Sequence, residues 1–217
     1  MTFHLPLAWE VAQLGTKQNN MKTKLVIAIT GGIGSGKSLA LATLDNAGYQ
    51  TFSSDKIVSE LYQKHSIKKL LKKMFPTAVS GRLKLVIDKT EIAKITFNDK
   101  QKHTELTNAI TPLVLKQIQK KVKSLQGVIF VEVPLLFECS YQDEFDKILV
   151  VVRDKNARIE SVKVRSNLST EQVLARMNNQ VDYDTIDLSN YIVVTNDGDK
   201  QNFEQKVLEI AKSLENF

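Results

Sequence analysis

The stretch Ile29–Ala40, ITGGIGSGKSLA, holds four glycines, a lysine and a serine in the pattern G-x-x-x-x-G-K-[ST], from Gly31 through Gly36, Lys37 and Ser38. That spacing suits a phosphate chain. Glycines let successive backbone N–H groups curl inward and allow close approach. A helix beginning near Gly36 adds its N-terminal dipole and unpaired N–H groups. Lys37 supplies a mobile charge for β- and γ-phosphates, and the Ser38 hydroxyl suits Mg²⁺. Average residue usage would produce the pattern by chance on the order of once per hundred chains of this size. Gly32, Ile33, Gly34, Ser35, Gly36, Lys37, Ser38 and Leu39 are therefore the candidate residues for binding a nucleotide phosphate chain.

Two rigid elements must hold such a loop. Leu25–Ile29 is short, apolar and β-branched, as in a buried parallel strand. Ser38–Asn46 has helical apolar spacing, and Gly48 can end it. Further strands are expected at Tyr49–Ser53, Val128–Val133, Lys147–Val152 and Tyr191–Thr195, with helical patterns between them. The class is α/β with a parallel five-stranded sheet flanked by helices. From Lys56 to about Leu125 the pattern is polar and helical apart from Gly81–Ile87, which reads as a turn and a short strand. This stretch is expected to be a helical insertion. A second helical segment, about 156–179, carries Arg158, Arg165 and Arg176. The core is thus expected at 21–56, 126–155 and 185–217, with insertions at 57–125 and 156–184.

In open α/β sheets ligands bind beyond the C-terminal ends of the strands. Asp55 follows the second strand and Glu132 ends the third, so two carboxylates converge on the phosphate loop. Either can act as a base toward a hydroxyl or hold Mg²⁺, directly or through water. The alternatives are structural: Asp55 as the cap of a helix starting at Lys56, and Glu132 in a salt bridge. The lysines of Lys68–Lys73 read as a solvated helix face, and Phe75, Phe97 and Phe137 as core.

Composition narrows the classes. The 217 residues carry a formal net charge of +6, and the pI is about 9.2. That balance suits an anionic ligand but is too mild to imply nucleic acid. One cysteine, Cys139, and three scattered histidines, His4, His65 and His103, argue against a disulfide framework or a structural zinc site. No apolar run approaches a membrane span. Residues 1–20 lack the charged start, apolar core and cleavage site of a secretory signal. They are expected to lie outside the core, with Met21 the preferred start and a cytoplasmic location.

The segments ITGGIGSGKS, SSDKIV, NAITPLV, VEVPLLFE and VVTNDG resemble, in order and spacing, those of bacterial dephospho-CoA kinases. The resemblance runs from Lys24 to about Asp199. It implies a P-loop nucleoside-kinase-like fold in which the 57–125 insertion binds the CoA-type acceptor and 156–184 forms a lid. The implied reaction transfers the γ-phosphoryl of ATP, with Mg²⁺, to the ribose 3′-hydroxyl of dephospho-CoA, giving CoA in the last step of its biosynthesis. The resemblance implies that the phosphate chain bound by Gly32 to Leu39 is that of ATP. Asp55 matches the family's general base. Pro134, Leu135 and Leu136 match the segment near the acceptor, beside Glu132, and Arg165 matches a phosphate-facing lid arginine. Lys37, Asp55 and Arg165 are then the catalytic candidates. The chain departs from the family pattern at Ser53, Thr111, Glu132, Leu39, Ser161 and Ile186, and its Asn196-Asp197-Gly198 turn is one residue out of register. The partners expected are ATP and dephospho-CoA, with neither nucleic acid nor membrane, in a monomer or small homo-oligomer. The alternatives are another small-molecule P-loop kinase or a P-loop regulatory ATPase.

Overall fold

The computed structural model describes residues 24–215; the expectation for residues 1–20 falls outside them. Five strands form one parallel sheet: β1 (Leu25–Thr30), β2 (Gln50–Ser53), β5 (Val128–Glu132), β6 (Lys147–Val152) and β7 (Ile192–Thr195). Their spatial order is β2-β5-β1-β6-β7. Every pairing is parallel, with Ile29 level with Glu132 on one side and with Leu149 on the other. The apolar runs place these strands to within a residue. Tyr49, Val133 and Tyr191 fall just outside them, where the ladder ends.

The sheet is covered on both faces, and the period-2 geometry of a strand decides which side chain goes where. Val26 and Ala28 of β1 pack on one face with Ile129 and Val131 of β5. There they meet α2 (Ser54–Leu61), α3 (His65–Met74), α4 (Lys89–Asn98) and α5 (Lys100–Val122). Ile27 and Ile29 pack on the other face with Phe130 and Leu149, under α1 (Lys37–Asn46) and α8 (Lys200–Leu214). Ile27 and Ile29 have no exposed surface; truncating either to alanine should cost about 2–5 kcal/mol.

The helical stretch after β2 contains one interruption. Gly81–Ile87 forms the turn and second strand of a small hairpin, β3 (Val79–Ser80) against β4 (Val86–Ile87). Asp88 then caps α4, accepting from the Thr90 and Glu91 N–H groups at 2.9 and 3.0 Å. The 156–179 segment is two helices, α6 (Lys155–Ser166) and α7 (Thr170–Met177). The break is local: Asn167 is left-handed with φ 49°, and Ser169 opens α7 with a reciprocal capping box to Gln172. Phe75 is buried as expected, whereas Phe97 is 45% exposed.

Because all five strands run the same way, their C-terminal ends share one edge. β1 sends its chain toward β2, and β5 sends its chain across to β6. The crevice between β1 and β5 is therefore the topological switch point, where open α/β sheets receive ligands.

Candidate active site

The loop between β1 and α1 is built on backbone that only glycine accommodates well. Gly31 has φ 145° and Gly36, at the N-terminus of α1, has φ 111°. A Cβ on Gly31 would overlap the Val151 carbonyl, and one on Gly36 would overlap the Asn196 amide. The loop therefore lies tight against the ends of β6 and β7.

Three side chains fix it from inside and outside. Lys37 folds back under the loop and donates to the Gly31 and Gly32 carbonyls at 2.7 and 3.0 Å. The Asn196 amide donates to the Ser35 carbonyl at 2.7 Å, from 161 residues away. The Gln180 carbonyl oxygen accepts from the Ile33 N–H at 2.7 Å. Neither Asn196 nor Gln180 was singled out from sequence as a loop contact. Both bond to backbone from distant segments, and no local spacing announces such a pair.

Lys37 is buried, and burial pushes its ammonium down to about 8, against the opposing pull of Glu132, then Asp55; Arg165 pushes it further down. Removing an ammonium from water disfavours its charge, and nearby carboxylates restore part of it. The group thus stays mostly charged at neutral pH and loses its charge as pH rises through about 8.

The carboxylates differ in setting. Glu132 is 7% exposed and accepts a hydrogen bond from the Ser38 hydroxyl at 2.9 Å. That contact takes the place of the salt bridge considered from sequence. Asp55 is exposed on the first turn of α2. That helix starts at Ser54, with Ser53 at its cap position. Asp55 is therefore inside the helix and is not its cap, which removes the structural alternative for this residue.

Loop and carboxylates open on a cleft of about 950 Å³. Ile33, Gly34, Gly36, Lys37, Ser38 and Leu39 line its floor. Asp55, Glu132, Pro134 and Leu135 line one wall, and Thr90, Phe97 and His103 extend that wall onto α4 and α5. Arg165, Arg176 and Ser161 reach it from α6 and α7. Gly32 and Ser35 are buried within the loop behind this surface. Leu136, expected at the acceptor, is instead fully buried in the core beneath. The chain turns sharply after Pro134, so Leu135 faces the cleft and the next side chain points inward.

The three arginines of the 156–179 segment separate. Arg165 is exposed and lines the cleft, as does Arg176. Arg158 is buried and its guanidinium pairs with Asp184 at 3.0 Å. It lies so close over Gly32 that a Cβ there would overlap it. Tyr183 completes this layer, its hydroxyl 3.0 Å from that of Thr30; burial raises its phenol to about 12, so it stays neutral.

The dephospho-CoA kinase family model matches residues 25–202. A dephospho-CoA kinase of Thermus thermophilus is 34% identical over 157 residues, covering 71% of this chain and 74% of the relative. One from Streptococcus pyogenes is 27% identical over 199 residues, covering 88% and 99%. Among solved structures, a Thermus thermophilus protein superposes with a TM-score of 0.75 at 30% identity, over 89% of this chain and 99% of that one. A shikimate kinase from Acinetobacter baumannii superposes with a TM-score of 0.52 at 11% identity, over 89% and 96%, a likeness of fold alone.

Proposed function

This chain belongs to the dephospho-CoA kinase family, and on that premise we propose how its cleft moves the γ-phosphoryl of ATP to the ribose 3′-hydroxyl of dephospho-CoA. The observation that carries the reading is the meeting of Lys37, Ser38, Asp55, Glu132 and Arg165 around one cleft at the switch point of the sheet. Phosphoryl transfer asks mainly for positioning and charge neutralisation. This set supplies both.

ATP enters over the loop, whose inward N–H groups and helix terminus take the phosphates. Lys37 exchanges its bonds to the Gly31 and Gly32 carbonyls for the β- and γ-phosphate oxygens, and Arg165 approaches the γ-phosphoryl from α6. The acceptor ribose lies on the Asp55 side, against Pro134 and Leu135. Its 3′-oxygen forms the new bond to the γ-phosphorus as the bond from that phosphorus to the bridging β–γ oxygen breaks. The hydroxyl proton passes to the Asp55 carboxylate, and ADP carries away the leaving electron pair. Closure of α6 and α7 keeps water from the γ-phosphoryl.

The oxygen donors fit Mg²⁺. Ser38 and Glu132 are already hydrogen-bonded to each other, and Asp55 borders the same cleft. Among the described residues no three His, Cys, Asp or Glu side chains form a metal cage. Mg²⁺ needs none, because it retains waters and takes phosphate oxygens. Bound there, it neutralises charge on the β- and γ-phosphates.

The test is coupled ADP release with an acceptor panel. The reading expects turnover with dephospho-CoA and a mass gain of one phosphate on the acceptor, with little release when acceptor is omitted. Turnover with shikimate or gluconate instead would make the protein a different small-molecule kinase. Full turnover without any acceptor would make it an ATPase.

A further inference from the structure

Two cleft arginines, Arg153 after the sheet strand β6 and Arg176 on α7, have no part in the reaction just described. Arg153 directly follows β6, which β5 and β1 separate from β2, the strand that precedes Asp55. It is half-buried and lines the cleft. Its guanidinium donates to the Gly34 carbonyl at 3.4 Å, a weak bond. Arg158 is committed to Asp184; Arg153 has no carboxylate partner among the described residues.

The strand order divides the cleft. Asp55 follows β2 on the first turn of α2 and Glu132 ends β5, both on one side of β1. Arg153 and Asn196 follow β6 and β7, on the other. The phosphates occupy the loop after β1, so acceptor and nucleoside must leave it in opposite directions. The acceptor takes the carboxylate side, which leaves the β6–β7 side for the base of ATP. The aromatic rings that line the cleft, Phe97 and His103, belong to α4 and α5 on the acceptor wall. On the opposite wall the flat cationic group is Arg153, with its guanidinium 3.4 Å from the Gly34 carbonyl of the loop.

We propose that Arg153 is a nucleoside-binding residue of the donor site, its guanidinium plane stacking on the purine of ATP. The assignment rests on the donor and acceptor sides given above. A guanidinium is planar, delocalised and weakly hydrated, so it stacks on flat rings in a way an ammonium does not. The base then needs no aromatic partner on this wall, and Asn196 is kept for the loop.

Equilibrium binding without acceptor tests this on the intact chain. The ligands are ATP and inorganic tripolyphosphate, and the variants are Arg153→Lys and Arg153→Met. Both variants should weaken ATP about five- to tenfold, while tripolyphosphate affinity stays within about twofold of wild type. KM for dephospho-CoA should not move. Wild-type ATP affinity in Arg153→Lys would overturn the proposal, because charge alone would then suffice. So would a parallel loss of tripolyphosphate binding, which marks a phosphate contact, or no change in either variant. If Arg153→Met fails to fold, Arg153→Lys alone decides. Failure of the wild type to bind ATP would instead overturn the donor-site reading itself.

Discussion

The floor of the cleft and the α6–α7 pair above it are held in opposite ways. The floor rests on β1, β5 and β6, where Ile29, Phe130, Leu149 and Val150 have no exposed surface. Its loop is tied at Ser35 by Asn196 and at Ile33 by Gln180. The helix pair has a core of three buried residues, Ile159, Val162 and Val173, with Ile33 of the loop packed against it. Val164 in the same pair is 85% exposed. Elements with little buried apolar surface open at lower free energy. The loop thus has the larger buried support, and in the proposed mechanism closure falls to the arginine-bearing pair.

That contrast predicts unequal mutational effects. Lys37→Ala, on the floor, should lower kcat/KM by about a thousandfold, since a pre-placed charge contacts the transferring group. Thermal unfolding should change little by comparison. Transfer near the wild-type rate would remove the loop from the chemistry. Arg165→Ala, on the helix pair, should lower kcat about tenfold, with ATP affinity less affected, because its contact forms on closure.

The floor also predicts a pH effect. Lys37 is lowered to about 8 in the free protein, and bound phosphates favour its charged form. Binding above pH 8 must then take up a proton, so ATP affinity is flat below about pH 7 and falls as pH rises through 8, by up to about tenfold per unit. Calorimetric titration at several pH values should find this slope in the wild type and lose it in Lys37→Met. Smallest in rate is Arg158→Ala. Its guanidinium is spent on Asp184, so kcat should stay within about threefold. Stability should drop by about 1–2 kcal/mol, seen as a lower Tm. A large loss of kcat with unchanged Tm would place Arg158 among the phosphate-facing groups.

Much of this is legible in the sequence. Leu25–Thr30 and Lys147–Val152 announce themselves because a strand buried on both faces must be apolar throughout. The loop is legible because phosphate binding requires its glycines at fixed spacing. Asp55 and Glu132 follow from the strand-end rule, since both stand where β2 and β5 finish. What escaped was lateral. Gln180 and Asn196 reach the loop from 147 and 161 residues away, and only the tertiary fold sets such distances. The family resemblance places Leu136 at the acceptor with Pro134 and Leu135, but the turn after Pro134 sends it into the core. Helical spacing alone does not separate Arg158 from Arg165, which only the family resemblance singles out. Seven residues along a helix nearly repeat a face, yet Asp184 holds the first under the loop while the second reaches the cleft.

Asp55→Asn tests the central claim most directly. Asparagine keeps the size of the side chain and its place on the first turn of α2, but it cannot accept the acceptor's proton. ATP affinity and single-turnover transfer to dephospho-CoA are measured together across a range of Mg²⁺. The expected result is near-normal ATP binding with transfer slowed by at least about a hundredfold, unrelieved by excess Mg²⁺. Recovery of transfer at high Mg²⁺ would make Asp55 a metal-holding residue. Transfer at the wild-type rate would contradict the account outright, leaving the hydroxyl without its base.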